Sequence, residues 1–434
     1  MSTDTNDTQP SSDEENSGIV GASSLGRNTG FVLVAELSFS LGRMLTFVLL
    51  GRALGTEDLG RYVAVLGLTQ LLFPLARVGS AHLMVRSISR GEPFGPQWAK
   101  ATSVNLIGGV VGAATSTLIA LVLFDVSPIT TVLIGLAQLI GLGLQQNGGM
   151  AAAAHGRAQI GLAINGVNTV FRVVAILIFF YWIDDQTVDV WAWFLAATML
   201  AGSISTLTIV RTAFGARPRF VVPNGTDLRM GSGFVFVDFA NTAQADIDKV
   251  VLGGFGLNDD AGVYAAAYRV ADLANLPLGA LVRASYSEFF RRGSDKISEA
   301  VRYAKKLTTF SFGYGVAVGI GLWVFAPLLE FAMGDQFAES VTALRWVSFV
   351  PALRALQVFP ANVLSGTDRQ WLRAKIMSFT AALNLVSNIV LVPEYGWRGA
   401  AISTLLAEAV FSIALWIAVT RALAVERAET AQAN

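Results

Sequence analysis

The chain has 434 residues, of which 53% are hydrophobic and 14% are charged, and its 31 basic and 31 acidic residues cancel. Soluble proteins are about 25% charged. This composition, with a mean hydropathy of +0.55, therefore predicts a polytopic membrane protein and gives no sign of a nucleic-acid partner. The absence of cysteine excludes a disulfide scaffold, an iron–sulfur site and thiol chemistry.

Residues 1–24 are almost entirely polar. Such a segment buries too little apolar surface to offset the entropy lost on ordering, so we expect a disordered tail. It has neither a basic start nor an apolar core and is not a cleaved signal peptide. The first apolar helix is therefore expected to act as the targeting signal.

Twelve apolar runs follow, most of them long enough to cross the ~30 Å hydrocarbon core as a helix. They lie approximately at 28–50, 62–85, 101–123, 130–153, 160–180, 191–210, 230–252, 263–287, 307–326, 342–364, 376–392 and 399–420. The sequence thus predicts an all-α polytopic membrane protein with 12 transmembrane helices. The polar linker 212–229 separates two six-helix lobes, 25–211 and 230–421, and a C-terminal tail occupies 422–434.

The distribution of lysine and arginine indicates the orientation, because these residues concentrate in cytoplasmic segments. With a cytoplasmic N-terminus, the segments on that side hold 20 of the 31 basic residues. The opposite loops hold three, namely Arg52, Arg61 and Arg398. We therefore expect a multi-pass protein of the plasma membrane with both termini in the cytoplasm.

A glycine-rich acidic turn occurs twice, at 51–64 and 253–266, with a constant offset of 202 residues. The identical pairs are Gly51/Gly253, Asp58/Asp260, Gly60/Gly262, Tyr62/Tyr264 and Ala64/Ala266. A second match, between turns centred on Gly156 and Gly366, has an offset of 210, so the second half is predicted to have gained about eight residues near Gly334. Matching elements run in the same direction, which predicts a pseudo-two-fold axis along the membrane normal.

Charged residues inside the apolar runs are candidates for function. An ionisable group at membrane depth costs ~2.5–3.5 kcal/mol on insertion scales and usually faces a cavity or a partner. The candidate cations are Arg43, Arg77, Arg172, Lys249, Arg269 and Arg354. Arginine presents five donors that match phosphate oxygens, which predicts a cationic cavity for an anionic head group. The alternative is a structural role, in which each cation pairs with a carboxylate or snorkels to an interface.

The candidate acids are Glu36, Asp238, Asp246 and Asp248. Glu36 and Asp238 are equivalent under the 202-residue offset and are candidates for coupling to a proton or a sodium ion. Asp246 and Lys249 are three residues apart and share a helix face, which favours an internal ion pair. Asp248 is expected to point elsewhere.

Several motifs resemble those of the polysaccharide and oligosaccharide flippases, which belong to the multidrug/oligosaccharidyl-lipid/polysaccharide exporter superfamily. They are the turn at 51–62, Arg77-Val-Gly-Ser, Asp246-Ile-Asp-Lys-Val-Val-Leu-Gly, Gly262-Val-Tyr-Ala-Ala-Ala-Tyr-Arg, Gly156-Arg-Ala-Gln and Gly366-Thr-Asp-Arg-Gln. The resemblance covers nearly the whole chain after about residue 25. It implies two six-helix bundles that rock between inward-open and outward-open forms.

The resemblance also implies a substrate, an oligosaccharide on a polyprenyl phosphate or diphosphate carrier, exported for a surface polysaccharide or glycoprotein glycan. Arg43 and Arg172 would then attract the phosphate. Membrane lipids, a coupling H⁺ or Na⁺ ion and a glycan polymerase or ligase are candidate partners. The alternatives are a cation-coupled multidrug antiporter of the same superfamily and a non-transporting membrane scaffold of a glycan assembly complex. A lipid II flippase fits less well, because those resemble 14-helix chains.

Sites for chemistry on a substrate are not evident. The sequence has no G-x-x-x-x-G-K-[ST] loop for ATP hydrolysis. Its two histidines, His82 and His155, are far apart and no cysteine accompanies them, so no metal site is predicted. We expect neither enzymatic activity nor a cofactor.

Overall fold

The computed structural model describes residues 12–217, 219–222 and 224–433. Side chains are described from residue 38 onward, apart from positions 218, 223, 233, 237, 287, 294, 295, 429, 430 and 432–434. Within these ranges the regular structure is entirely helical, as predicted. Eight helices are long and apolar enough to cross a membrane, or nine if the pair Asp335–Val347 and Val350–Gly366, bent by 40°, counts as one span.

Sixteen α-helices are present in the described part of the chain, and each predicted apolar run falls on one or two of them. They are α1 (Ser12–Arg77), α2 (Ser80–Ser89), α3 (Phe94–Leu123), α4 (Pro128–Leu136), α5 (Gly143–Ala154), α6 (Ala158–Trp182), α7 (Val188–Phe214), α8 (Gly225–Gly254), α9 (Asn258–Leu273), α10 (Leu276–Asp295), α11 (Ile297–Phe325), α12 (Pro327–Met333), α13 (Ala338–Val347), α14 (Val350–Gly366), α15 (Gln370–Tyr395) and α16 (Trp397–Ala433). A π-helical turn, Ala137–Leu142, joins α4 to α5.

Helix α1 contains the first predicted run and most of the second, and the two are separated by a kink at Gly55 with φ 77° and ψ −177°. Glycine adopts this conformation readily, because it has no Cβ to clash. The helix begins at Ser12, so residues 12–24, which were expected to be disordered, continue α1 instead. Residues 1–11 lie outside the described residues.

Three of the predicted continuous runs are interrupted. The run 62–85 breaks between α1 and α2, where Val78 and Gly79 have φ values of 46° and 64°, a conformation that glycine adopts readily. The run 263–287 breaks at residues 274–275, between α9 and α10, and the run 342–364 breaks at residues 348–349, between α13 and α14. Proline explains the second and third breaks, because Pro277 and Pro351 lie in the first turn of the following helix, lack a backbone donor and clash with the preceding turn. Discontinuous helices of this kind line substrate sites in many transporters.

The described buried apolar residues form four clusters: one large core at one end of the molecule, one core in each half near the other end, and a small cluster inside the first half. The shared core includes Leu59 and Trp191 from the first half and Tyr264 and Trp397 from the second. Near the opposite helix ends, the first half has a core made of buried residues between positions 84 and 216. The second half has a core made of buried residues between positions 240 and 422. The two halves of the chain are therefore packed together at the end that contains the loops after α3, α6 and α8, and have separate cores at the other end.

The repeated turn makes a reciprocal contact in the shared core. A Cβ added to Gly60 would lie 1.8 Å from the carbonyl oxygen of Asn258, and one added to Gly262 would lie 2.0 Å from that of Thr56. Positions 258 and 262 are positions 56 and 60 shifted by 202 residues, so the two contacts are equivalent. The Thr56 hydroxyl also donates to Asp259 at 2.6 Å.

The repeated acids Asp58 and Asp260 have equivalent roles too. Asp58 accepts a hydrogen bond from the backbone N–H of Val188, at the start of α7. Asp260 accepts one from the backbone N–H of Trp397, at the start of α16. Burial nevertheless raises the pKa of the Asp260 carboxyl, and the Trp397 N–H opposes this shift. Each acid thus caps the last long helix of its own half, where the helix dipole favours negative charge.

Candidate functional site

Three of the predicted cationic residues line one cavity of about 200 Å³. Arg43 comes from α1, Arg172 from the middle of α6 and Arg269 from α9. The wall also contains Tyr62 and Trp191. We refer to this space as the arginine cavity.

The three arginines have few partners of their own. Arg43 donates from Nη2 to the Ser40 hydroxyl at 3.0 Å, and the Arg269 guanidinium lies 5.2 Å from the centre of the Phe47 ring. Among the side chains that the structure describes, no carboxylate oxygen lies within 4.0 Å of any of the three guanidinium groups. Three guanidinium groups around a small space make a site suited to an anion, because arginine matches phosphate and carboxylate geometry.

One acid, Asp272 of α9, also lines the arginine cavity, and it is already engaged. Its Oδ1 accepts a hydrogen bond from Arg354 Nη1 at 2.8 Å. The charge of Asp272 is therefore largely balanced by a fourth arginine that lies outside the cavity. The arginine cavity keeps a net positive charge.

Arg354 of α14 lies in a neighbouring cavity of about 350 Å³ and is fully paired. Besides Asp272, it donates from Nε to Glu408 at 3.1 Å and from Nη2 to the Tyr268 hydroxyl at 2.5 Å. Glu408, whose side chain is 4% exposed, also accepts from the amide of Gln357. Arg354 thus has the carboxylate partners of the structural alternative, and it is held between α9 and α16.

Lys249 of α8 lies beside the arginine cavity, in a small adjoining space of about 50 Å³ that it shares with Asp246, Arg269 and Asp272. Its Nζ is 3.1 Å from Asp246 and 2.7 Å from the carbonyl oxygen of Ala245. The predicted Asp246–Lys249 ion pair is therefore present.

Asp248 does not point away from this pair, contrary to expectation. Its Oδ1 lies 3.3 Å from Lys249 Nζ, because the long lysine stem folds back to the carboxylate of the residue before it. Asp248 is 1% exposed. The two acids together neutralise Lys249, which leaves it less available to a ligand than the three cavity arginines.

The remaining predicted residues lie elsewhere. Arg77 donates to the side-chain oxygens of Gln146 and Asn147 on α5, so its guanidinium joins two helices of the first half. Asp238 is half-exposed on α8 and lies 3.2 Å from His82 of α2. The side chain of Glu36 lies outside the described residues.

Sequence reasoning missed Asp272, Tyr268 and Glu408 as partners of Arg354. Arg269 and Asp272 are three residues apart in one apolar run, which places them on one helix face. That spacing was an available signal for a paired site on α9. The amide-lined cavity around Gln357 left no comparable signal, because its residues come from five helices that are distant in sequence.

Metal chemistry has no support from the geometry that can be seen. No group of three or more His, Asp or Glu side chains that could hold a metal ion occurs within the described ranges. The arrangement places a cationic cavity beside a polar cavity that also contains carboxamide side chains.

Comparison with known proteins identifies a family. The model of a family described as "Polysaccharide biosynthesis protein" matches residues 25–286. An uncharacterized membrane protein of Methanocaldococcus jannaschii is 26% identical over 129 residues, which are 29% of this chain. The matched segment spans 25% of that relative's length.

Solved structures share the fold. A multidrug resistance MATE family transporter of the MOP superfamily, in its inward-facing conformation, has a TM-score of 0.73 and 15% identity, with 91% of this chain and 99% of that chain covered. A MOP superfamily transporter from Pyrococcus furiosus, described as having a binding pocket of reverse polarity that suggests a different function, has a TM-score of 0.61 and 15% identity. That match covers 92% of this chain and 95% of the other.

Proposed function

The chain belongs to the polysaccharide biosynthesis protein family, of the multidrug/oligosaccharidyl-lipid/polysaccharide exporter superfamily, and on this premise we propose that it is a flippase. Its substrate is an oligosaccharide linked to a polyprenyl phosphate or diphosphate. It moves this lipid across the plasma membrane by alternating access. Family and structural neighbours are transporters, and the chain carries no enzymatic activity of its own.

The observation that carries this proposal is the meeting of Arg43, Arg172 and Arg269 in one cavity without a direct carboxylate partner among the described side chains. A phosphate or diphosphate fits such a site, because each oxygen accepts charge-assisted hydrogen bonds from guanidinium groups. Arg43 and Arg269 are exposed and Arg172 is partly exposed, so the three charges face the cavity rather than the apolar interior of the bundle. An anionic substrate would balance them there.

Twelve helices in two six-helix lobes are the architecture we propose for this transport. The reciprocal contact of Gly60 and Gly262 supports a two-fold relation between residues 25–211 and 230–421. The difference in connection length supports it as well. The segment between α3 and α4 is 124–127, whereas the segment between α11 and α13 is 326–337, which is the eight-residue gain expected near Gly334.

The pattern of cores supports an inward-facing conformation. The shared core lies at the end that the lysine and arginine distribution assigns to the outside, and the separate cores lie at the cytoplasmic end. The likeness to an inward-facing transporter agrees with this assignment. In this orientation both termini are cytoplasmic, and the substrate enters from the cytoplasmic side.

A cation-coupled multidrug antiporter is the second candidate, because the likeness extends to a multidrug transporter. Three guanidinium groups would repel a cationic drug from the cavity. A non-transporting scaffold is the third candidate, and it would give no role to three arginines that line a cavity without a carboxylate partner among the described side chains.

Reconstitution in liposomes separates these functions. Proteoliposomes with the wild-type chain are expected to move a fluorescent lipid-linked sugar between leaflets and not to move cationic dyes. Arg172→Gln is expected to slow this movement by roughly ten- to a hundredfold, because a charge-assisted hydrogen bond contributes ~1.5–3 kcal/mol. Arg52→Gln is the matched control, since Arg52 is exposed and is not part of the arginine cavity wall. Movement of dyes alone would identify an antiporter, and movement of neither a scaffold.

A further inference from the structure

The second cavity, around Arg354, is larger than the arginine cavity and has a different chemistry. Four carboxamide side chains line it, from α8, from the break before α10 and from α14: Asn241, Gln244, Asn275 and Gln357. Its volume of about 350 Å³ lies within the roughly 300–1,000 Å³ typical of small-molecule sites. We refer to it as the amide cavity.

Charges in the amide cavity are balanced. Arg354 is neutralised by Asp272 and Glu408. Arg373 donates to the Ser365 hydroxyl at 2.9 Å. With two arginines against two carboxylates, this space offers hydrogen-bonding groups with no net attraction for an anion.

Asn275 shows that the cavity wall has unused hydrogen-bonding capacity. It lies at the break between α9 and α10, and its amide nitrogen donates to the carbonyl oxygen of Ala271 at 3.2 Å. Its side-chain oxygen is buried and accepts no hydrogen bond from the groups that the structure describes. This acceptor is therefore unused, on a side chain that lines the cavity.

Apolar side chains complete the wall, among them Leu278, Met377 and Phe411. A pyranose has hydroxyl groups around its edge and C–H groups on its faces. Carboxamides both donate and accept, so they suit the edge, and apolar side chains suit the faces. A phosphate fits the neighbouring arginines better than it fits carboxamide or apolar side chains.

We propose that the amide cavity is the glycan subsite of the transporter, and that it holds the sugar next to the phosphate carried in the arginine cavity. This inference rests on the proposed flippase function and adds the location of the sugar. Asp272 lies between the two spaces, since it lines the arginine cavity and binds Arg354 of the amide cavity. A lipid phosphate and its first sugar thus occupy adjoining sites, the first with a net positive charge and the second polar with balanced charges.

Binding measurements on the purified full chain test the subsite. The probes are farnesyl diphosphate and farnesyl diphosphate that carries one hexose or one N-acetylhexosamine. The wild-type chain is expected to bind at least one glycosylated probe more tightly than the bare diphosphate. Asn275→Leu and Gln244→Leu are each expected to weaken that probe roughly tenfold and to leave farnesyl diphosphate unchanged, because each removes hydrogen bonds to the sugar alone.

Two variants at different places in the fold are used so that a folding defect in one does not decide the test. Unchanged binding of farnesyl diphosphate by a variant shows that its fold is intact. Gln336→Leu is the matched control, because Gln336 is an exposed amide outside the amide cavity wall. Equal wild-type affinities for all probes, or equal losses for bare and glycosylated probes in both variants, would overturn the glycan subsite. Failure of the wild-type chain to bind any diphosphate would instead count against the flippase proposal.

Discussion

Asp272 accepts a hydrogen bond from Arg354 at 2.8 Å, although the two side chains line different cavities. The contact joins α9 to α14, and Glu408 extends it to α16. This pairing determines how much positive charge the arginine cavity keeps. If Arg354 did not hold Asp272, the carboxylate would be free to neutralise the cavity arginines.

Arg354, Asp272 and Glu408 form a cluster in the second half. Its members are expected to contribute unequally to the stability of that half. Arg354→Gln leaves two carboxylates without a cation, one of them the buried Glu408, and should lower the free energy of unfolding by about 3–5 kcal/mol. Asp272→Asn leaves Arg354 paired with Glu408, and because Asp272 is partly exposed the loss should be about 1 kcal/mol or less. Denaturant unfolding in detergent micelles measures both. Arg373→Gln, in the same cavity but without a carboxylate partner among the described residues, is the control.

The same pair is expected to control binding of an anion in the arginine cavity. Arg354→Gln should weaken binding of farnesyl diphosphate roughly tenfold, because the released Asp272 competes with the phosphates for Arg269 and Arg172. Adding Asp272→Asn to this variant should restore the affinity, since the competing charge is removed. Isothermal titration on purified protein measures this cycle. A double variant that binds as weakly as Arg354→Gln would show that Arg354 acts in another way.

Local sequence features predicted the helices well. All twelve apolar runs coincide with helices, and the short run 376–392 lengthens to Gln370–Tyr395. The breaks at Val78, at residues 274–275 and at residues 348–349 were missed, because hydropathy averages over a run and does not register where a glycine or a proline interrupts a helix.

The site was predicted in part. Arg43, Arg172 and Arg269 were among the candidates for a cationic cavity, and all three line the same cavity. Their proximity could not be read from the sequence, because it depends on how α9 packs against α1 rather than on local spacing. The pairing of Arg354 is likewise decided by tertiary contacts, which give it Asp272 and Glu408 as partners. The pairing of Lys249 with Asp246, by contrast, followed from their local spacing.

The reciprocal glycine contact is expected to be sensitive to a single methyl group. A Cβ at position 60 or 262 would collide with a backbone carbonyl of the facing helix, which cannot move aside as a side chain can. Gly60→Ala and Gly262→Ala should each destabilise the packed end by about 1–3 kcal/mol, and should shift the protein toward a form open at that end. Solvent accessibility of a cysteine introduced at Thr56 measures the shift. Gly254→Ala is the control, because no atom lies near its Cβ. Equal accessibility in all three variants would contradict the prediction.

Separation of the two halves at this end is expected to be necessary for transport. Thr56 of α1 and Asp259 of α9 are hydrogen-bonded across the contact at 2.6 Å. The native chain has no cysteine, so Thr56→Cys together with Asp259→Cys introduces the only two thiols. A short bifunctional methanethiosulfonate reagent should link them through two disulfide bonds, with release of methanesulfinate, and hold the end closed. Movement of a fluorescent lipid-linked sugar in proteoliposomes should then stop, and reduction of the link should restore it.

A second pair of introduced cysteines tests whether a loss of transport comes from holding the packed end closed or from damage by the reagent. Thr130 of α4 donates a hydrogen bond to Asp189 of α7, and both lie in the first half near the same end. Linking Thr130→Cys to Asp189→Cys should leave transport intact, because it joins elements that move as one body under the proposed mechanism. If quantitative linking of positions 56 and 259 left transport at the wild-type rate, the packed end would not be a moving gate. The substrate would then have to cross without separation of the two halves there.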